Sequence, residues 1–464
     1  MGLTVDVAAP GSRPDGFPAE FEVEDGSPTP RAVSLVERDG RIVAEVKVPP
    51  RDVDAVRTAA ALVARDERAG DGVVWRLDDR LGLNAEQQVR ALVEGTVLGG
   101  YDPGRWKTRS KARRIPGRLT LLAENGDGLR NDARRAAQVA EWTNRARDLA
   151  NAPPNELTPE RLAERAGAIA AAFDTLEATA LAPDEFGRLG MGAFGGVAQG
   201  SHNPARLIVM RYEPSSAAPE PLLGLVGKAV TFDTGGISIK PALYMEEMKG
   251  DMAGGAAVIE AMGALAELGV PLRALAVVAA TENMVGGGSF RPGDILHAMN
   301  GKTIEVVNTD SEGRLILADA LWYARHQGAT HLLDLATLTG TMERALGDFY
   351  AGVFGDPPEW RDAVVSAGEA SGDHAWPWPI HPRYRRYIDS AFADMKNHSD
   401  YLQGGPVLAA SFLHEFAGDG PWAHIDMAGT GFFRRPRGDY LADPGGTGYG
   451  VRLIVELAQR MTDT

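Results

Sequence analysis

Apolar positions along the chain change their period several times, and the changes mark out the elements. From Met1 to about Leu122, short apolar runs such as Ala32-Val33-Ser34-Leu35-Val36 and Ile42-Val43-Ala44-Glu45-Val46 read as strands, while 51–65 and 85–99 carry helical spacing. Residues 130–150, rich in Ala and Arg at helical spacing, end before Pro153-Pro154, which cannot continue a helix. From about 155 onward the two periods alternate. Strands are predicted at Arg206–Tyr212, Leu222–Val226, Leu272–Ala280, Thr303–Val307, Leu332–Leu335, Ala351–Phe354 and Trp422–Ile425, with helices at 251–268, 312–326 and 407–417. That alternation predicts an α/β protein: a small N-terminal α/β domain (1–128), a connecting helix (129–154), and a larger catalytic domain (155–464) built on a mostly parallel, mixed sheet flanked by helices. No internal repeat or extended low-complexity segment interrupts it.

Length and composition narrow the class of function. A chain of 464 residues is long for one core, in keeping with two domains. A net charge of −15 argues against a protein whose main business is coating nucleic acid or an anionic membrane. The absence of cysteine removes thiolate nucleophiles, disulfides and Cys-held zinc, so a metal here takes O or N ligands. The first six residues lack a basic and then apolar leader, and no apolar run reaches the roughly 18 residues of a membrane span. The expectation is a cytoplasmic protein with no membrane partner.

Candidate chemistry concentrates in two places. Asn308-Thr309-Asp310-Ser311-Glu312-Gly313-Arg314 puts two carboxylates, a guanidinium and a glycine on one short turn between a predicted strand (302–307) and a predicted helix. Such a turn is expected at the carboxyl end of a sheet strand, where open α/β sheets place their ligands. The second concentration is the loop Gly227–Lys240, which follows the Leu222–Val226 strand and carries Lys228, Asp233 and Lys240, with Asp251 opening the next helix. Four carboxylates that converge without enough cations repel one another. The economical reading is that they hold divalent metal, as two ions roughly 3.5–4 Å apart.

With these residues the chain resembles the leucyl aminopeptidase family, the hexameric two-metal cytosolic aminopeptidases. Asn308 to Leu315 differs from the family signature only at Ser311, usually Ala, and Lys228, Asp233, Lys240 and Asp251 keep the spacing of its other motif. The likeness runs from about Ala146 and Asn155-Glu156-Leu157 through Ala336–Gly340 to Trp422–Thr430, and only weakly into the first domain, at Gly99-Gly100-Tyr101 and Trp106-Lys107. The resemblance implies an aminopeptidase releasing Leu and other, mainly apolar, N-terminal residues from peptides. It implies that Asp233 and Glu312 bridge two metals, that Lys228 and Asp251 complete one site and Asp310 the other. Lys240 is then the stabiliser of the oxyanion, and Arg314 the holder of a bicarbonate-like anion. The pocket for the first residue maps to Met248, Asn308, Thr337, Leu338 and Gly340. A neutral lysine ligand costs on the order of 4–5 kcal/mol to deprotonate at neutral pH. Oxygen-rich sites with one amine accept Zn²⁺, Mn²⁺, Co²⁺ or Mg²⁺ according to supply. Two departures from the family, at Asn397–Pro406 and Gly445–Gly448, fall in segments expected to shape the pocket.

Other signals are weaker. Asp233-Thr234-Gly235 spells the aspartic-protease triplet but has no second copy, and His414-Glu415 lacks the second histidine of a zinc-binding helix. Gly254-Gly255-Ala256 reads as close packing. The run Arg105, Lys107, Arg109, Lys111, Arg113 and Arg114, with Trp106 inside it, supports an alternative role as a DNA-binding accessory protein, against which stands the acidity of the whole chain.

Overall fold

The computed structural model describes residues 3–108, 113, 115–124, 126–401 and 403–462. The chain groups into two compact units, Met1–Asn144 with Arg435–Pro444, and Arg145–Arg434 with Gly445–Thr464.

The first unit is a six-stranded sheet of β1 (Thr4–Ala8), β2 (Phe17–Val23), β3 (Ser34–Arg38), β4 (Arg41–Val48), β5 (Gly72–Arg76) and β6 (Arg118–Leu122), in the order β1-β6-β5-β2-β4-β3. All its pairs are parallel except β3 with β4. The predicted helices at 51–65 and 85–99 are present as Val53–Arg65 and Ala85–Gly99. They cross closely because Gly99 leaves room: a Cβ there would lie 2.5 Å from Ala61 Cβ. At the crossing, buried Arg57 donates to buried Glu94 at 2.7 Å.

The second unit is built on an eight-stranded sheet. Its strands are β7 (Leu176–Leu181), β8 (Arg206–Tyr212), β9 (Leu222–Asp233), β10 (Arg273–Asn283), β13 (His331–Ala336), β14 (Ala351–Asp356), β15 (Ala375–Pro377) and β17 (Trp422–Asp426). The order is β15-β14-β17-β13-β9-β10-β8-β7. The four central strands β17, β13, β9 and β10 run parallel, and antiparallel pairs appear towards both edges, so the sheet is mixed as expected.

Strand β9 shows how the helices take the two faces. Val226 and Val230 point into the core that includes Leu315, Ile316 and Ala318 of helix Glu312–His326. Gly227 and Ala229 point the other way, to helix Ala253–Leu268, where an added Cβ on Gly227 would lie 2.6 Å from Gly255 Cα. The small residues of that helix serve close packing, as the sequence suggested.

One expectation fails. The strand read at Thr303–Val307 is only Thr303–Glu305 (β12), and it belongs to a separate three-stranded sheet with β11 (Ile295–His297) and β16 (Met395–Lys396). The turn at 308–314 therefore does not hang from the large sheet. A β-branched run fits a small satellite sheet as well as a central one, because local propensity does not encode the partner. The rule that ligands gather at the carboxyl ends of parallel strands still holds, but through β9, which ends at Asp233, its neighbour β13, which leads into Thr337–Gly340, and β17 on the far side of β13, which leads into Met427-Ala428.

Candidate metal centre

Strand β9 supplies Lys228 from its interior and Asp233 from its last position. The turn Met245–Gly250 delivers Asp251, and Asp310 and Glu312 stand at the start of helix Glu312–His326, where the positive end of the helix dipole favours carboxylates. The buried Lys228 Nζ lies 2.8 Å from Asp251 Oδ2, 2.8 Å from Glu312 Oε1 and 3.0 Å from the Thr337 carbonyl. Lys240 Nζ lies 2.8 Å from Asp233 Oδ2 and 2.5 Å from Asp310 Oδ1. Carboxylate oxygens of Asp233, Asp310 and Glu312 come within 4.8 Å of one another. Gly313 makes the approach of Lys228 possible, since a Cβ there would sit 2.8 Å from Nζ.

The supporting contacts fix the donors without saturating them. Asp233 Oδ1 accepts from the Gly235 amide and from Asn283 Nδ2, each at 2.8 Å. Asp251 Oδ1 accepts from Thr337 Oγ1 at 2.7 Å. Asn308 Oδ1 accepts from the Asp310 amide at 2.8 Å. The turn is held from behind by Asn397, whose Nδ2 donates to the Asn308 carbonyl and whose Oδ1 accepts from the Val307 amide.

Four carboxylates face two ammonium groups, and burial drives protons onto this negative cluster. Burial, reinforced by neighbouring carboxylates, pushes Asp251 up to about 8 and Asp310 up to about 7, and raises Asp233. Burial opposes the charge on Lys228 and Lys240, but the surrounding carboxylates outweigh it and hold both amines firmly protonated. It likewise opposes the charge on Glu312, where the two lysines win and hold the carboxyl below its usual range. Glu312 Oε2 is buried without a hydrogen-bond partner among the described residues. A cluster that is short of positive charge and holds an orphaned carboxylate oxygen fits divalent cations, which satisfy such oxygens directly. Arg314 is buried, its Nε has no hydrogen-bond partner among the described residues, and burial lowers it to about 10.

These donors open onto a cleft of about 170 Å³ lined also by Met248, Gly250, Thr337, Leu338, Gly340, Ala428 and Phe432, with Glu247, Glu343 and Arg434. Four of the five expected pocket residues line it. Asn308 is not among the lining residues and is occupied in bracing its own turn. Sequence reasoning missed Asn283, Asn397, Phe432 and the charged trio; Asn397 sits in a segment whose departure from the family had been noted. Among the described residues that segment does not line the cleft, and its His398 Nδ1 pairs with Ser311 Oγ at 2.8 Å, at the one position where Asn308 to Leu315 differs from the family signature. Gly445-Gly446 pairs with Phe432-Phe433 and so supports a wall residue.

Part of the basic run lies among the described residues. Arg113 pairs with Asp443 at 2.6 and 3.0 Å, and Arg105 lies over the Trp106 ring at 4.4 Å. Arg109, Lys111 and Arg114 lie outside the described residues.

Comparison with known proteins agrees with the geometry. The cytosol aminopeptidase family, catalytic domain, matches residues 144–455. A protein of Solibacter usitatus described as "Probable cytosol aminopeptidase" is 48% identical over 368 residues, 79% of this chain and 75% of that one. A protein of Roseiflexus castenholzii with the same description is 44% identical over 419 residues, 89% of this chain and 85% of that one. The solved structure of the bottromycin maturation enzyme BotP in complex with Mn superposes with a TM-score of 0.87 at 31% identity, covering 96% of this chain and 99% of that one. The chain belongs to the cytosol aminopeptidase family and is a hydrolase of the leucyl aminopeptidase type.

Proposed function

We propose that the chain is a metal-dependent aminopeptidase that removes mainly apolar residues from the free N-termini of peptides. Supporting this above all is the buried Lys228, Asp233, Asp251, Asp310 and Glu312 cluster, short of positive charge, beside a cleft with an apolar wall. These five residues would hold two divalent ions. Mn²⁺ is favoured by the Mn complex of BotP, with Zn²⁺, Co²⁺ or Mg²⁺ as alternatives. Such ions supply Lewis acidity, a water nucleophile at neutral pH and an anchor for a free α-amine.

The chain's own residues do the rest. Lys240, held as an ammonium between Asp233 and Asp310, would face the negative charge that develops on the scissile carbonyl oxygen. Arg314, a buried guanidinium whose Nε has no partner among the described residues, would hold a bicarbonate-like anion that accepts a proton. Met248, Thr337, Leu338 and Gly340 would receive the first side chain. The names of the relatives support a cytoplasmic location, and a homohexamer follows the family resemblance. Among the described residues no helix is long and apolar enough to cross a membrane.

The experiment is hydrolysis of Leu-amide against acetyl-Leu-amide by the Mn²⁺-loaded protein. Acetylation makes the nitrogen non-basic and bulky, so the free amide is cleaved and the blocked one is inert. Comparable rates on both would overturn the exopeptidase reading.

A further inference from the structure

The cleft holds a second charged cluster. Arg434 Nε lies 2.6 Å from Glu247 Oε2, its Nη1 lies 3.7 Å from Glu343 Oε1, and its guanidinium stacks over the Tyr244 ring at 4.7 Å. None of these groups forms an ion pair with the Lys228–Glu312 cluster among the described residues. Each charged residue itself lines the cleft and lies on the same short segment as a wall residue: Glu247 precedes Met248, Glu343 shares the helix Gly340–Leu346 with Gly340, and Arg434 lies two residues after Phe432. The trio is therefore fixed by the segments that make the apolar wall.

We infer that Arg434 determines specificity for the first residue: it neutralises Glu247 and Glu343 and so keeps the cleft selective for apolar side chains over cationic ones. The inference rests on the aminopeptidase reading. One guanidinium serves two carboxylates here, tightly at Glu247 and loosely at Glu343. Without it both acids would stand with unmatched charge in the same cleft that the Lys228–Glu312 cluster lines, where the side chain of a substrate Lys or Arg would enter. A cation would then gain charge-assisted hydrogen bonds that Leu cannot make.

The test is the ratio of kcat/KM for Arg-amide to that for Leu-amide in the Mn²⁺-loaded protein. Arg434→Ala, and Arg434→Gln, which keeps the aliphatic stem, should raise this ratio on the order of tenfold, the worth of one hydrogen bond between charged groups. Arg434→Lys keeps the positive charge and should stay near wild type. Combining Arg434→Ala with Glu247→Gln and Glu343→Gln opens the same space without charge and should abolish the gain. An unchanged ratio in Arg434→Ala and Arg434→Gln, with Leu-amide still cleaved, overturns the inference alone, as does a gain that persists in the triple variant. A wild-type protein that cleaves neither amide overturns the aminopeptidase reading and this inference with it.

Discussion

Gly313 connects one missing side chain to the whole centre. Lys228 reaches Glu312 and Asp251 only because position 313 carries no Cβ. Gly313→Ala should therefore lower metal content although every donor remains, measured by elemental analysis after gel filtration; unchanged content would show that Lys228 can shift at no cost. Lys240→Ala should behave in the opposite way. It should keep its metal and lose roughly 10²–10³ in kcat, because the role proposed for Lys240 is an interaction that strengthens only as the carbonyl oxygen becomes negative. Loss of metal, or wild-type turnover, would show that Lys240 has another role. The proton inventory gives a third expectation. In the metal-free cluster Lys228 and Lys240 hold their protons firmly, and Asp251 and Asp310 are raised to about 8 and about 7. A cation must displace protons to bind, so Mn²⁺ affinity should rise with pH between about pH 6 and pH 9 and fall as pH falls. Chelator competition at several pH values measures it, and a flat profile would contradict it. That these residues belong together was legible in the sequence because acids, lysines and a glycine at fixed spacing are chemically unusual together. Asn283 and Asn397 were not, since an amide's role depends on what folds against it.

Elements were legible where one face is clearly buried. Strand β8 matches its predicted span because Leu207 to Met210 is a continuous apolar run, the pattern of a strand covered on both sides. Strand β9 was predicted five residues long and runs to Asp233, because Gly227 and Lys228 look like the start of a loop. They remain in the strand for packing reasons: Gly227 meets Gly255, and Lys228 is paired by buried carboxylates. The placement of β12 was illegible for a different reason, since its partners β11 and β16 are too short to announce themselves. The contact between helix Ala253–Leu268 and the sheet also gives a stability prediction. A Cβ on Gly254 would lie 2.2 Å from the Leu335 carbonyl oxygen. Gly254→Ala should destabilise by about 1–3 kcal/mol through overpacking, read as a lower denaturation midpoint. A midpoint equal to wild type would mean that the helix can slide away from β13.

At the level of the molecule, the two-unit chain, its net charge of −15 and its lack of cysteine were consistent with many enzymes, and only the joint spacing of the site residues separated one family from the rest. Oligomeric state follows the same family reasoning: light scattering should report a homohexamer, and a particle of 49.4 kDa, one chain, would contradict it. The proposed hydrolysis requires the buried cluster to be a metal centre. Elemental analysis of the purified protein after dialysis against Mn²⁺ or Zn²⁺ addresses that claim directly. Two ions per chain are predicted for the wild type, and loss of metal together with activity in Glu312→Ala, which removes a buried carboxylate from the centre of the cluster. A metal-free wild type, or two ions retained in an inactive Glu312→Ala protein, would contradict it.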